Sequence, residues 1–243
     1  HARSAGAGRP AAGGRVSGHP LDRPVWNCLT GPQAALRVGS DAALRIDPGF
    51  GPFAAARDCS DESLAALAAL TVPGEELWLV ESEDWPVPPG LAVVRRAPLL
   101  QMVAERPQPV RPADEPCEPL GEGDAAAMTA LALATEPGPW GAKTRLYGQF
   151  WGIRRAGELA AMAGERMRPA PGLAEVSGVC TWPRFQGQGL AGQLIRRVMA
   201  GFAARGDVPF LHSYAGNARA IGLYESLGFT GRREMVATVL RKL

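Results

Sequence analysis

The chain has 243 residues, of which 46% are hydrophobic, and its formal net charge is +2. This composition allows one or two folded domains. Basic residues are scattered, which argues against a nucleic-acid partner, and no apolar run approaches the ~20 residues of a membrane span. The four cysteines form no C-x-x-C pair and the three histidines lie far apart, so neither a zinc nor a redox site is expected. We expect reduced thiols in a cytoplasmic protein.

The first part of the chain changes character near residue 18. Residues 1–18 are rich in Gly, Ala and Arg without hydrophobic periodicity, which predicts a disordered leader. Residues 19–104 predict an α/β domain with a hairpin turn at residues 39–41 and a helix capped by Ser60. Its later strand candidates are residues 77–80, 91–94 and 99–103.

A change in composition separates this region from the rest of the chain. Residues 105–117, ERPQPVRPADEPC, are rich in proline and charge, which is typical of a stiff linker. We therefore place a domain boundary there and predict a second domain at residues 118–243.

The most informative stretch is Glu175 to Ala191, where a predicted strand runs into three closely spaced glycines. The strand ends at Pro183, which cannot donate to a sheet, and an amphipathic helix begins among the glycines. A glycine turn at a helix N-terminus offers unpaired N–H groups and a favourable dipole to an anion. The sequence therefore predicts an anion site here.

Two motifs overlap at these glycines. Residues 187–192 match G-x-G-x-x-G, the dinucleotide-binding pattern, which would indicate a nicotinamide-dependent oxidoreductase. That pattern needs an acidic residue about 20 positions further on, at the end of the next strand. Here the next strand ends in His212 and Ser213, so the dinucleotide interpretation is disfavoured.

The second motif fits its surroundings better. Residues 186–191, QGQGLA, match Q/R-x-x-G-x-G/A, and residues 217–229 match N-x-x-A-x-x-L-Y-E-x-x-G-F. Together they resemble the GNAT superfamily of N-acetyltransferases over residues 118–243. The resemblance implies an α/β GNAT acyl-CoA N-acyltransferase fold, a mixed central sheet flanked by helices, with the fourth and fifth family strands splayed apart. A degenerate GNAT-like half is one interpretation of residues 19–104.

The resemblance also implies a binding site for acetyl-CoA, the cosubstrate, without a metal. The pyrophosphate would lie on the glycine loop and helix N-terminus, and the pantetheine arm would pair with the backbone of the preceding strand. The implied binding residues are Val179, Cys180, Thr181, Gln186, Gly187, Gln188, Gly189, Leu190, Ala191 and Asn217.

Two residues are candidates for proton transfer. Tyr224 matches the tyrosine that protonates the departing thiolate in many GNAT enzymes, and Glu175 stands where several carry a general base acting through water. Regular strand alternation would put Glu175, Ser177, Val179 and Thr181 on one face. Glu165 and Arg166 are alternative acceptor-facing residues, and His212 is a less favoured base.

These observations predict an N-acetyltransferase that moves an acetyl group from acetyl-CoA to an amine by direct attack in a ternary complex. The alternative is a non-catalytic acyl-CoA-binding or sensing protein of the same fold. We expect a monomer or homodimer with no nucleic-acid or membrane partner. The identity of the amine stays open.

Overall fold

The computed structural model describes residues 18–243, so the leader predicted at residues 1–18 lies outside them apart from Gly18. The helices are α1 (Pro24–Thr30), α2 (Asp61–Ala69), α3 (Ala125–Thr135), α4 (Leu190–Ala203) and α5 (Ala218–Ser226). The strands are β1 (Arg37–Gly39), β2 (Ala43–Ile46), β3 (Ala54–Ala56), β4 (Glu76–Glu81), β5 (Leu91–Val103), β6 (Glu118–Leu120), β7 (Phe150–Arg155), β8 (Glu158–Glu165), β9 (Leu173–Thr181), β10 (Val208–Tyr214) and β11 (Thr230–Lys242).

An eight-stranded sheet forms the centre of the fold. Its order is β4-β11-β5-β10-β9-β8-β7-β6, and a smaller sheet has the order β1-β2-β3. Within the large sheet β9 and β10 run parallel, and the other neighbours are antiparallel. The predicted mixed sheet flanked by helices is therefore confirmed.

Helices cover both faces of this sheet. Consecutive residues Phe210 and Leu211 of β10 belong to different core clusters, as expected for side chains that alternate across a strand. The cluster of Leu211 contains the apolar stripe of α4, including the fully buried Leu194 and Phe202. Each such side chain contributes about 1.5–3 kcal/mol by its burial. The cluster of Phe210 contains α1, and α3 packs on β8 and β9 in a third cluster.

The strand candidates at residues 91–94 and 99–103 proved to be one strand, β5. Pro98 lies between them, and proline removes a ladder donor. The pairing of β5 with β10 begins only at Leu99, opposite Tyr214. At Pro98 the strand still pairs with Val236 of β11, and the Pro98 carbonyl accepts from the N–H of Ala215, just after β10, at 3.0 Å. The strand therefore continues through the proline.

The large sheet includes strands from both sides of the Pro-rich segment 105–117. Strand β5 lies between β10 and β11, and β11 lies between β4 and β5. The segment itself is held on α4, where Asp114 pairs with the buried Arg196 through an Nε–Oδ2 hydrogen bond of 2.7 Å. The division into domains at 19–104 and 118–243 stays a prediction, and it concerns two halves that share one sheet.

Candidate active site

A gap opens in the sheet between its two parallel strands. β9 and β10 pair at Leu173 with Val208 and then as far as Glu175 with Phe210. Beyond that point β9 continues to Thr181 and β10 to Tyr214 without pairing with each other. The edge of β9 is thus available to an extended ligand, and the splayed strands implied by the resemblance are present.

The glycine loop lies at the end of β9 and leads into α4. Gly187 and Gly189 have φ angles of +80° and +76°, a left-handed conformation that favours glycine. A Cβ atom at Gly187 would meet nothing within 4 Å, and one at Gly189 would meet only the Gln193 side chain at 3.9 Å. The N–H groups of the first turn of α4 therefore face open space where an anion can approach them.

A cavity of about 590 Å³ joins this loop to the gap in the sheet. Its wall includes most of the residues predicted from the sequence, namely Val179, Thr181, Gln186, Gly187, Gly189, Leu190, Ala191, Asn217 and Tyr224. Glu175, Cys180 and Gln188 are outside the wall. Cys180 is buried against the α3 cluster, which leaves its backbone as the group that could meet a ligand.

The predicted alternation along β9 is wrong because the strand contains a bulge. Between the pairs Ser177–Gly164 and Cys180–Met162, β9 uses one residue more than β8. The bulge contains Gly178, whose φ of +61° glycine adopts readily but other residues adopt only with strain. The bulge reverses the facing of the side chains that follow, so Glu175 and Thr181 lie on opposite faces.

Glu175 is fully buried and makes several hydrogen bonds. Its carboxylate accepts from Arg166 Nε at 2.8 Å and Arg166 Nη2 at 2.7 Å, and from the Met167 N–H at 3.3 Å. Burial acts to raise the pKa of Glu175, but the Arg166 guanidinium and the His212 hydrogen bond outweigh it and lower the pKa to about 2. At neutral pH this carboxylate is a weak base.

His212 is the next member of this buried polar network. Its Nδ1 lies 2.8 Å from Glu175 Oε1, and its Nε2 lies 2.9 Å from Gln101 Nε2. The Gln101 amide is oriented by Arg232, which donates to its oxygen, and by the Leu21 carbonyl, which accepts from its nitrogen. Since an amide nitrogen only donates, His212 Nε2 accepts and the proton lies on Nδ1. Both ring nitrogens are therefore occupied by partners within the protein.

Tyr224 has fewer partners than Glu175. Its ring packs edge-on to Phe229, with centroids 6.1 Å apart, and burial raises the pKa of its hydroxyl. Within residues 18–243 that hydroxyl makes no hydrogen bond, and its oxygen is not sealed from solvent. The group is therefore protonated at neutral pH and free to donate to a ligand in the cavity.

The far wall of the cavity comes from parts of the chain that no motif marked. It consists of Phe53, Trp78, Val80, Leu99, Met167 and Ala237. Four of these lie on β4, β5 and β11, and they reach the site because those strands share its sheet. Phe53, in the loop before β3, reaches it through a β-bridge to Trp78. Their alternating apolar pattern in the sequence indicated a core strand and carried no signal for a ligand site.

Comparisons with known proteins find similar sequences and folds. The FR47-like protein family model matches residues 150–237. A GNAT-family protein from Novosphingobium aromaticivorans DSM 12444 is 61% identical, with a TM-score of 0.87, over 93% of this chain and 100% of its own. A GCN5-related N-acetyltransferase from Kribbella flavida is similar in fold, with 21% identity and a TM-score of 0.60 over 90% of this chain and 92% of its own. No curated protein matches.

The chain therefore belongs to the GNAT family of N-acetyltransferases, and the predicted membership is confirmed. Acetyl transfer from acetyl-CoA is general for this family. No helix within residues 18–243 has both the length and the apolar character needed to cross a membrane. The same residues include no group of three side chains suited to a metal ion.

Proposed function

We propose that this protein is an N-acetyltransferase that carries an acetyl group from acetyl-CoA directly to an amine bound in the same cavity. The observation that carries the proposal is the meeting of three features on one cavity wall. These are the open glycine loop, the unpaired end of β9 and the free hydroxyl of Tyr224. Each corresponds to one requirement of acyl transfer from a thioester.

The binding part of the proposal rests on backbone groups. The pyrophosphate of acetyl-CoA would accept hydrogen bonds from the N–H groups of the loop from Gly187 to Ala191, with the dipole of α4 behind them. The pantetheine arm would lie along β9 from Val179 to Thr181, as a strand does at a sheet edge. Asn217, which caps α5 by accepting from the Ala220 N–H at 3.2 Å, would form the side of the channel.

In the proposed reaction the amine nitrogen bonds to the acetyl carbon and the carbon–sulfur bond breaks. A backbone N–H near Val179 would support the negative charge on the carbonyl oxygen. The departing thiolate takes the proton of Tyr224, which burial keeps protonated at neutral pH. The proton lost by the amine leaves to water, and water restores the proton of Tyr224.

Glu175 has a different part in this proposal from the general base predicted from the sequence. Its bonds to Arg166 and His212 and its lowered pKa support a positioning role, because they fix both side chains beside the cavity. Among the described residues of the wall, Glu136 is the only carboxylate, and it is exposed at the loop after α3.

The binding step can be tested with acetyl-CoA and Gly189→Glu. A ligand present at about 100 times its dissociation constant stabilises a protein by about 2.7 kcal/mol. We expect this stabilisation in the wild type and its loss in Gly189→Glu, whose carboxylate would face the pyrophosphate. Gly74→Glu is the matched control, since Gly74 also has a positive φ, of +87°, and open space around its Cβ, but lies away from the cavity.

An acetyltransferase and a non-catalytic acyl-CoA binder differ in whether they turn over acetyl-CoA. Release of CoA from acetyl-CoA that depends on an added amine would support the enzyme. Binding of acetyl-CoA without turnover across amines of several classes would favour the non-catalytic acyl-CoA binder. An equal thermal shift in wild type and Gly189→Glu would contradict the loop assignment.

A further inference from the structure

Arg166 stands at the inner end of the cavity and is held there on one edge. It follows β8 directly and belongs to the cavity wall. Its Nε and Nη2 both donate to Glu175, and its guanidinium carbon lies 4.9 Å from the centroid of the Phe53 ring. The side chain is 13% exposed and Glu175 is 0% exposed. These contacts leave the guanidinium a single orientation.

The outer edge of the same guanidinium has no partner. A guanidinium carries five N–H donors, and Glu175 uses one on Nε and one on Nη2. Within residues 18–243, Nη1 donates to no acceptor, and it is not sealed from solvent. It lies beside the loop after α3, 3.6 Å from where a Cβ of Gly138 would be. The outer fork of Nη1 and Nη2 is thus ready for a second carboxylate.

Stability alone does not account for this arrangement. A buried ion pair often contributes no more to stability than apolar side chains of the same size. Here the Glu175 carboxylate is also bonded to His212 and to the Met167 N–H, so the group that holds Arg166 is itself fixed while the free edge of the arginine meets the cavity. A rigid fork of this kind suits a planar carboxylate that binds through two parallel hydrogen bonds.

The rest of this end of the cavity is apolar. Phe53 and Trp78 meet edge-on with centroids 6.4 Å apart, and Val80, Leu99 and Ala237 continue the wall. Among the described residues of the wall, only Arg166, Arg219 and Glu136 carry a full charge, and Arg219 lies at the other end beside Asn217. A ligand bound here would therefore offer an apolar group to the wall and one anionic group to Arg166.

We propose that the acceptor is an amino acid with a large apolar or aromatic side chain, and that Arg166 binds its carboxylate. The inference rests on the proposed acetyl transfer and names its acceptor class. The α-amine of such a molecule would face the splayed strands and the thioester, and the side chain would lie against Phe53 and Trp78. Arg166 is a specificity-determining residue in this arrangement, and Glu175 positions it.

Paired acceptors test the proposal on the wild-type protein. L-phenylalanine is compared with 2-phenylethylamine, and L-leucine with 3-methylbutylamine, by CoA release at equal concentrations of deprotonated amine. Each pair differs only in the carboxylate. We expect kcat/KM to favour the amino acid by roughly 10²-fold, mostly through KM, because loss of one partner from a largely desolvated charge pair has an effect of this order. Equal or better use of the decarboxylated amines overturns the proposal.

A double variant tests whether Arg166 causes the preference for amino acids over the decarboxylated amines. Arg166→Gln with Glu175→Gln removes both charges together, so neither is left buried alone. We expect the KM for L-phenylalanine to rise about 10²-fold, while the KM for 2-phenylethylamine and the affinity for acetyl-CoA stay unchanged. Arg168→Gln is the matched control, since Arg168 also pairs with a buried glutamate, Glu165, but lies outside the cavity wall. It should keep the wild-type preference.

The outcomes separate this inference from the proposed function. If the double variant lowers kcat equally for both amines of a pair, Arg166 acts on the thioester and the acceptor proposal is wrong. If acetyl-CoA fails to bind, or no amine of any class tested releases CoA, the proposed function fails and the acceptor class with it. If amines of another class release CoA and these four do not, the acceptor class alone is refuted. If both amines of each pair react equally well in the wild type, only the acceptor class is refuted.

Discussion

The ion pair of Glu175 and Arg166 should make the free energy of unfolding fall in acid, and Glu175→Gln should remove this dependence. The pKa of Glu175 falls from an ordinary 4.5 to about 2 in the folded protein, because Arg166 and His212 outweigh the effect of burial. At about 1.36 kcal/mol per pH unit, this difference corresponds to about 3 kcal/mol of stability. Removing one partner of a buried pair has a measured effect of similar size, about 3–5 kcal/mol.

The sign of the pH dependence follows from the lowered pKa. The unfolded chain takes up the proton first as the pH falls, so the contribution of Glu175 is fully present above about pH 5. It decreases as the pH falls from 4.5 toward 2, and about 2 kcal/mol of it is lost by pH 3. Glu175→Gln should lower the free energy of unfolding at pH 7 and should remove this part of the acid dependence.

Urea unfolding at a series of pH values between 3 and 7 measures both effects. The difference between wild type and Glu175→Gln should be largest at neutral pH and should shrink toward pH 3. Glu81→Gln is a matched comparison, because Glu81 is also buried and bonded to an arginine, Arg23. Burial dominates at Glu81 and raises its pKa. The contribution of Glu81 to the free energy of unfolding therefore decreases as the pH rises, whereas that of Glu175 decreases as the pH falls. Parallel pH curves for wild type and Glu175→Gln would refute the reasoning.

Two further substitutions test the catalytic group and the bulge. Tyr224→Phe should reduce kcat by about 10²–10⁴-fold and leave the acetyl-CoA affinity unchanged, since it removes only the donated proton; wild-type turnover would make Tyr224 a packing residue. Gly178→Ala should destabilise the protein by about 1–3 kcal/mol, because φ is +61° and the new Cβ would lie 2.7 Å from Phe150 Cε1. Gly201→Ala, inside α4 with open space around it, should leave stability unchanged or raise it by up to about 1 kcal/mol, and similar losses at both positions would contradict the strain argument.

The cosubstrate half of the site could be predicted because its signals are local. The glycines from Gly187 to Gly192, the N-cap Asn217 and the tyrosine that follows are all set by short-range backbone geometry, and a linear pattern records such geometry. The same is true of the strand and helix that flank the loop. Membership of the GNAT family followed from these residues, and the structure and comparisons confirm it.

The acceptor half could not be predicted in the same way. Phe53, Trp78 and Leu99 meet the cavity only through the pairing of β4 and β5 with β11, and long-range pairing leaves no local mark in a sequence. The prediction that Glu175 and Thr181 share one face depended on regular alternation along β9. One extra residue at the Gly178 bulge moved the later side chains of β9 to the opposite face of the sheet. Nothing in the stretch EVSGVCT distinguished that glycine from an ordinary strand residue.

The sheet order also bears on the boundary predicted at residues 105–117. A fragment of residues 117–243 would lack β4 and β5, so β11 would lose both neighbours and β10 would keep only its short pairing with β9. Unpaired strand edges and the exposed apolar face of β11 should prevent cooperative folding. We expect no unfolding transition in urea and no heat of acetyl-CoA binding from this fragment.

A fragment of residues 19–243 is the control for that experiment, because it keeps every strand of the sheet. It should unfold cooperatively and bind acetyl-CoA. A cooperatively folded 117–243 fragment with the same acetyl-CoA affinity would show that the two halves are separable domains after all. It would also imply that Trp78, Val80 and Leu99 serve the acceptor alone, since the cosubstrate would then bind fully without them.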